Sequence, residues 1–167
     1  MKTVKHQGEL LTFQIPDHWV VESEPDGTAV FFDPSDESLT LRLTVLTMQS
    51  PRDLGPDDAA TVIHRSGLPI AGSPEKLPNG QAVALSEVHH ATERDTPIEL
   101  HSVLVARVIP PRTARLANFT ITAVPSVNQA GPIEPRLDAI KAWARTCTIS
   151  DAPPQAPGGW WKRLFGS

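Results

Sequence analysis

The residues best placed by type to do chemistry lie in "QAVALSEVHHATE" (81–93) and "PIELHSVLVARVI" (97–109), two period-two runs around Arg94-Asp95-Thr96. A hairpin turning about Asp95 sets His89 opposite His101, with Glu87 and Glu99 one step along the same face. Two facing imidazoles with neighbouring carboxylates are the donor set of a zinc site. A polar, solvated sheet face opposite Ile98, Leu100 and Leu104 is the plainer reading. The zinc arrangement depends wholly on register, because a one-residue slip sends the two histidines to opposite faces. Cys147, the single cysteine, would need a nearby histidine to act as a nucleophile. Its place between Thr146 and Thr148 in a short apolar strand favours a core position instead. Asp57-Asp58 suits a helix start better than a carboxylate pair. No nucleophile elbow, phosphate loop, dinucleotide fingerprint or Cys-x-x-Cys occurs. The sequence therefore assigns no catalytic, metal-binding or cofactor-binding residue, and expects no cofactor. A metal-dependent or cysteine enzyme using the His89/His101 face is the alternative.

A second cluster closes the chain. "GGWWKRLFGS" places Trp160, Trp161, Leu164 and Phe165 on one face of a two-turn helix, with Lys162 and Arg163 beside it. Eight residues do not hold a helix alone in water, so this segment needs a surface. Its own domain, a partner groove and a membrane interface are the three candidates. The expected state is exposure or loose docking in the isolated protein, with order gained on a protein partner. Membrane contact through so few side chains is weak.

The elements that position these residues follow from periodicity. "ELLTFQI" (9–15) is a strand stopped by Pro16. "HWVVESE" and "TAVFFD" flank a Pro25-Asp26-Gly27 turn. In "SLTLRLTVLTM" (38–48), Leu39, Leu41, Leu43 and Val45 face one way and Thr40, Arg42 and Thr44 the other. One face is thus covered and the other at least partly wet. "GPDDAATVIHRSG" (55–67) reads as a short helix with Ala60, Ile63 and Gly67 on one face. "RLANFTITAV" (115–124) is a strand. "PIEPRLDAIKAWARTCTIS" (132–150) is a helix with a stripe of Ile133, Leu137, Ile140 and Ala144, then a short strand. Trp19 and Trp143 are expected in the core. This order is an α+β layout, an antiparallel sheet with helices packed on it.

At 167 residues, 40% hydrophobic and 20% charged, the chain suits one domain. The domain is expected over 1–150, a Pro/Gly linker over 151–159 and the aromatic-basic tail over 160–167. Residues 1–159 carry 13 cations and 19 anions, and so acidic a body speaks against nucleic-acid binding, which needs a basic stripe. The start lacks a signal-like apolar run, so the expected location is cytoplasmic, in a bacterial style.

"FQIPDHWVVE", "DGTAVFFDP" and the long "LTLRLTV" strand together resemble the Mog/PsbP-like superfamily. Phe13-Gln14-Ile15-Pro16 through Trp19 matches the F-x-(I/L)-P-x-x-W opening of its bacterial members, and the helix-strand at 133–149 matches in type and place. The resemblance covers about residues 8–150 and implies an α/β/α sandwich around an antiparallel sheet. It implies a non-enzymatic binding, adaptor or chaperone-like role with another protein as partner. Its known members include a regulator of a nuclear-transport GTPase, an extrinsic photosystem subunit and bacterial chaperones for secreted effectors. The chaperones hold apolar client helices on a sheet surface. No shared catalytic set transfers.

Overall fold

The computed structural model describes residues 1–125 and 132–152, and structural counts refer to these. In chain order the elements are β1 (Lys2–His6), β2 (Leu11–Ile15), β3 (Val20–Ser23), β4 (Ala29–Asp33), β5 (Asp36–Gln49) and α1 (Asp58–His64). There follow β6 (Glu75–Lys76), β7 (Ala82–Leu85), β8 (His89–Glu93), β9 (Thr96–Ile109), β10 (Thr113–Ala123), α2 (Ile133–Arg145) and β11 (Thr148–Ile149). All registered strand pairs are antiparallel.

Alternation along the two longest pairings decides the layers. Leu39, Leu41 and Leu43 of β5 pair with Ala123, Ile121 and Phe119 of β10, and all six are buried. They form one face of a large sheet ordered β3-β4-β5-β10-β9-β7-β6, with β8 also on β9. Over that face lie a three-stranded sheet, β1-β2-β11, and α2. The stripe on α2 points inward as the sequence expects: Leu137, Ile140 and Ala144 are buried, and Ile133 packs at the margin. Val45 is only partly buried. Phe13 of the small sheet joins the layers, its ring edge-on to Phe31 and to Phe119, both at 5.3 Å between centroids. Trp19 is buried and meets Trp143 edge-on at 5.3 Å.

The opposite face of the large sheet carries α1. Ala59 and Ile63 seat on Ala82, Ala84, Leu104, Ala106, Val108 and Leu116. Ala59, rather than the expected Ala60, is fully buried because the helix begins at Asp58, whose carboxylate accepts from the Gly55 N–H at 2.8 Å. The α/β/α layering holds, with one difference. The strand at 11–15 belongs to a separate small sheet with β1, which the sequence does not announce. β1 offers one apolar residue, Val4, among charged and polar neighbours, so its period-two signal is faint. The Pro25-Asp26-Gly27 turn closes as expected, with Gly27 at φ +89° and the Asp26 carboxylate accepting from the Thr28 N–H at 2.8 Å.

Candidate functional site

The hairpin forms, but its register separates the two histidines. Arg94 and Asp95, at φ +47° and +66°, make a two-residue turn with positive φ at both positions. Glu93 therefore pairs with Thr96, and His89 faces Leu100 rather than His101. Further along, Leu85 pairs with Val103, and the Ser86 N–H donates to the Ser102 carbonyl at 2.9 Å. Glu87 and Val88 are thus left opposite His101 alone, a β-bulge. A single register for the whole hairpin, assumed from the sequence, misses this extra residue.

The outcome is two different environments. His101 is largely buried beside Glu99, with Nε2 to Oε2 3.3 Å, and Glu99 also lies 3.8 Å from His90. Burial lowers the His101 pKa, partly opposed by its bond to Glu99. His89 turns to the other face and lines a groove. Among the described residues no group of three or more His, Cys, Asp or Glu side chains is arranged to hold a metal ion. Cys147 is buried, and burial pushes its thiol up to about 12, the reverse of what a nucleophile needs. Its carbonyl accepts from the Gln81 side chain at 2.9 Å, while Gln81 Oε1 accepts from the Ile149 N–H at 2.8 Å. Gln81 therefore satisfies backbone on either side of Thr148, a structural role that gives no sequence signal.

What the fold leaves open is half of the large sheet. α1 is seven residues long and covers only the end of the face carrying Leu104, Ala106, Val108 and Leu116. On the same face small and polar side chains follow, Ser102 on β9 and Asn118 and Thr120 on β10, beside the apolar Leu100 of β9. Together with Leu68 and Pro69 beyond α1, and with Ser86, Glu87 and His89, these line a groove of about 370 Å³. The Pro69 carbonyl accepts from the Glu87 N–H at 2.9 Å, and the Ala71 N–H donates to Leu85, which fixes this wall. Leu68 and Val88 are exposed. The sequence holds a signal for the groove: in "RLANFTITAV" the outward set turns from Leu116 to Asn118, Thr120 and Thr122 where helix cover ends. A second groove, about 140 Å³, lies on the other flank of α1 between Val62 and Met48.

The tail, residues 160–167, lies outside the described residues, as does the linker from residue 153. No helix among the described residues is long and apolar enough to cross a membrane.

No protein-family model matches the chain, and no curated protein matches it in sequence. Solved structures do match in shape. LpqN, involved in cell envelope biogenesis of Mycobacterium tuberculosis, is similar at TM-score 0.55 and 16% identity, over 89% of this chain and 90% of LpqN. A protein of Bacteroides thetaiotaomicron is similar at TM-score 0.58 and 15% identity over 89% of this chain. This chain spans 48% of that protein's length. The Saccharomyces cerevisiae Ran-binding protein Mog1p aligns over 90% of this chain and 95% of its own at TM-score 0.45 and 14% identity. With its antiparallel sheet, its helix on either side and its closing helix-strand, the chain has the Mog/PsbP-like fold.

Proposed function

We propose that this chain is a non-enzymatic protein-binding module, adaptor-like or chaperone-like, that receives an apolar segment of its partner on the half of the large sheet left open by α1. The observation that carries this reading is the groove of about 370 Å³ floored by Leu100, Ser102, Asn118 and Thr120. Its floor is built on the long central strands β9 and β10, so it is preformed and rigid. Small side chains there leave room, while Leu68 and Pro69 at the rim supply apolar contact. Such a surface suits side-chain packing of a helix or strand more than chemistry on a small substrate. The acidic body supports a protein partner over a nucleic acid. LpqN's part in envelope biogenesis makes an envelope-related partner one form of this reading, and a cytoplasmic partner is the form expected from the sequence.

Thr120→Arg and Ser102→Arg fill the groove without touching the core face. Each variant is expected to stay folded, with a circular dichroism spectrum like that of the parent. In native-host extract each is expected to elute at the size of the free chain, while the parent elutes as a larger complex. A folded Thr120→Arg variant that still elutes with the complex would show that the partner sits elsewhere.

A further inference from the structure

The backbone leaves the fold along a defined route. Arg107 of β9 and Arg115 of β10 stand opposite each other in register, on the face that carries the small sheet. Arg107 Nη1 donates to the Ile149 carbonyl at 2.5 Å. Arg115 donates to the carbonyls of Ser150 and Ala152. The chain from 149 to 152 therefore runs between the two arginines, with Ser150 and Ala152 held by Arg115, and the strand beyond Arg115 in the sheet is β5, whose Thr47 is its other register neighbour. Arg115 is 1% exposed, so this exit is built into the core and is not a loose surface contact. Asp151 lies 3.6 Å from Arg107 and adds charge to the clamp.

At that point β5 is a sheet edge. Its pairing with β4 runs only as far as Leu43, opposite Ala29, so Val45 to Gln49 have β10 on one side and no described strand on the other. This stretch exposes two large apolar side chains: Leu46 is 56% and Met48 36% exposed. Both point to the α1 side, where Met48, Leu54, Val62 and Ala114 line the second groove. An unpaired edge with exposed apolar side chains is a surface that folded proteins normally cover.

We infer that residues 160–167 dock back on their own domain, setting Trp160, Trp161, Leu164 and Phe165 on Leu46, Met48 and the groove beside α1. Reach permits it. The step from β10 to the β5 edge is one strand spacing of about 4.8 Å, and rounding the sheet to its other face adds about 10 Å. Residues 153–159, with three prolines, span about 22 Å at ~3.1 Å per residue. This inference is independent of the partner groove on the other flank of α1.

The chain has two methionines, Met1 and Met48, so a methionine-methyl NMR spectrum of the full chain reports on this surface with an internal reference. In the double variant Trp160→Ala/Trp161→Ala, the Met48 methyl resonance is expected to move as indole ring currents are lost, while Met1 stays. The parent's Met48 position is expected to be independent of protein concentration. An unmoved Met48 resonance would overturn the inference. So would a position that shifts on dilution, since that would mark docking on a second copy.

Discussion

Phe119→Ala is expected to destabilise the domain by roughly 3–5 kcal/mol. The ring is fully buried on the inner face of β10 and lies edge-on to Phe13, which is also edge-on to Phe31. Truncation removes the transfer free energy of the ring and an aromatic contact across the two sheets. It also opens a cavity that neither sheet can close, because both are pinned by their own backbone ladders. At about 2–4 °C per kcal/mol for a domain of this size, the melting temperature should fall by roughly 6–20 °C. Thr120→Ala, the next residue but on the outer face, serves as the comparison and should change stability little. A loss below about 1 kcal/mol for Phe119→Ala would mean that the sheets are not packed through this ring.

Arg136→Ala is the second large effect. Arg136 of α2 reaches across to Asp36 at the start of β5 and donates to Ser38 Oγ at 2.8 Å. Asp36 is 8% exposed at its side chain and Arg136 23%. Breaking a fully buried pair by removing one partner costs about 3–5 kcal/mol, and the partial exposure of Arg136 brings the expectation to about 2–4 kcal/mol. Burial alone would raise the Asp36 carboxyl. The Ser38 hydroxyl and N–H and the Arg136 guanidinium outweigh it and hold the carboxyl below its usual value. A folded-state pKa below the unfolded one stabilises the fold at pH above about 4, and that stability is lost as pH falls through the folded value. Urea midpoints of the parent and Asp36→Asn should therefore differ at pH 5–7 and converge below pH ~4. A difference that stays constant into acid would show that the Asp36 charge contributes nothing.

How much of this was legible in the sequence varies with the length of the signal. Leu39, Leu41 and Leu43 alternate over a long strand, and the α2 stripe runs for three turns, so both inner surfaces could be read directly. The hairpin could not, because the two-residue turn at Arg94-Asp95 sets His89 against Leu100 and a bulge at Glu87-Val88 then shifts the register again toward β7, and no residue type there marks either. β1 escaped because its inward residues, Lys2, Val4 and His6, include a half-buried lysine and a buried histidine whose pKa burial lowers. The open groove was visible only as a wet strand face. Its depth comes from where α1 ends and from how Pro69 and Ala71 are tied to β7 and its end, which are tertiary facts. Arg107 and Arg115 carry no sequence signal that sets them apart from other strand cations, yet they hold the backbone at the exit.

The central claim is that the protein works through the sheet face beside α1, and photocrosslinking in the native host tests it most directly. A photoreactive phenylalanine analogue is placed in turn at Thr120, in the groove floor, and at Lys5, exposed on the small sheet behind the core. The account predicts a discrete protein adduct from position 120 and none from position 5. An adduct from position 5 with none from position 120 would contradict it and move the binding surface to the other side of the molecule.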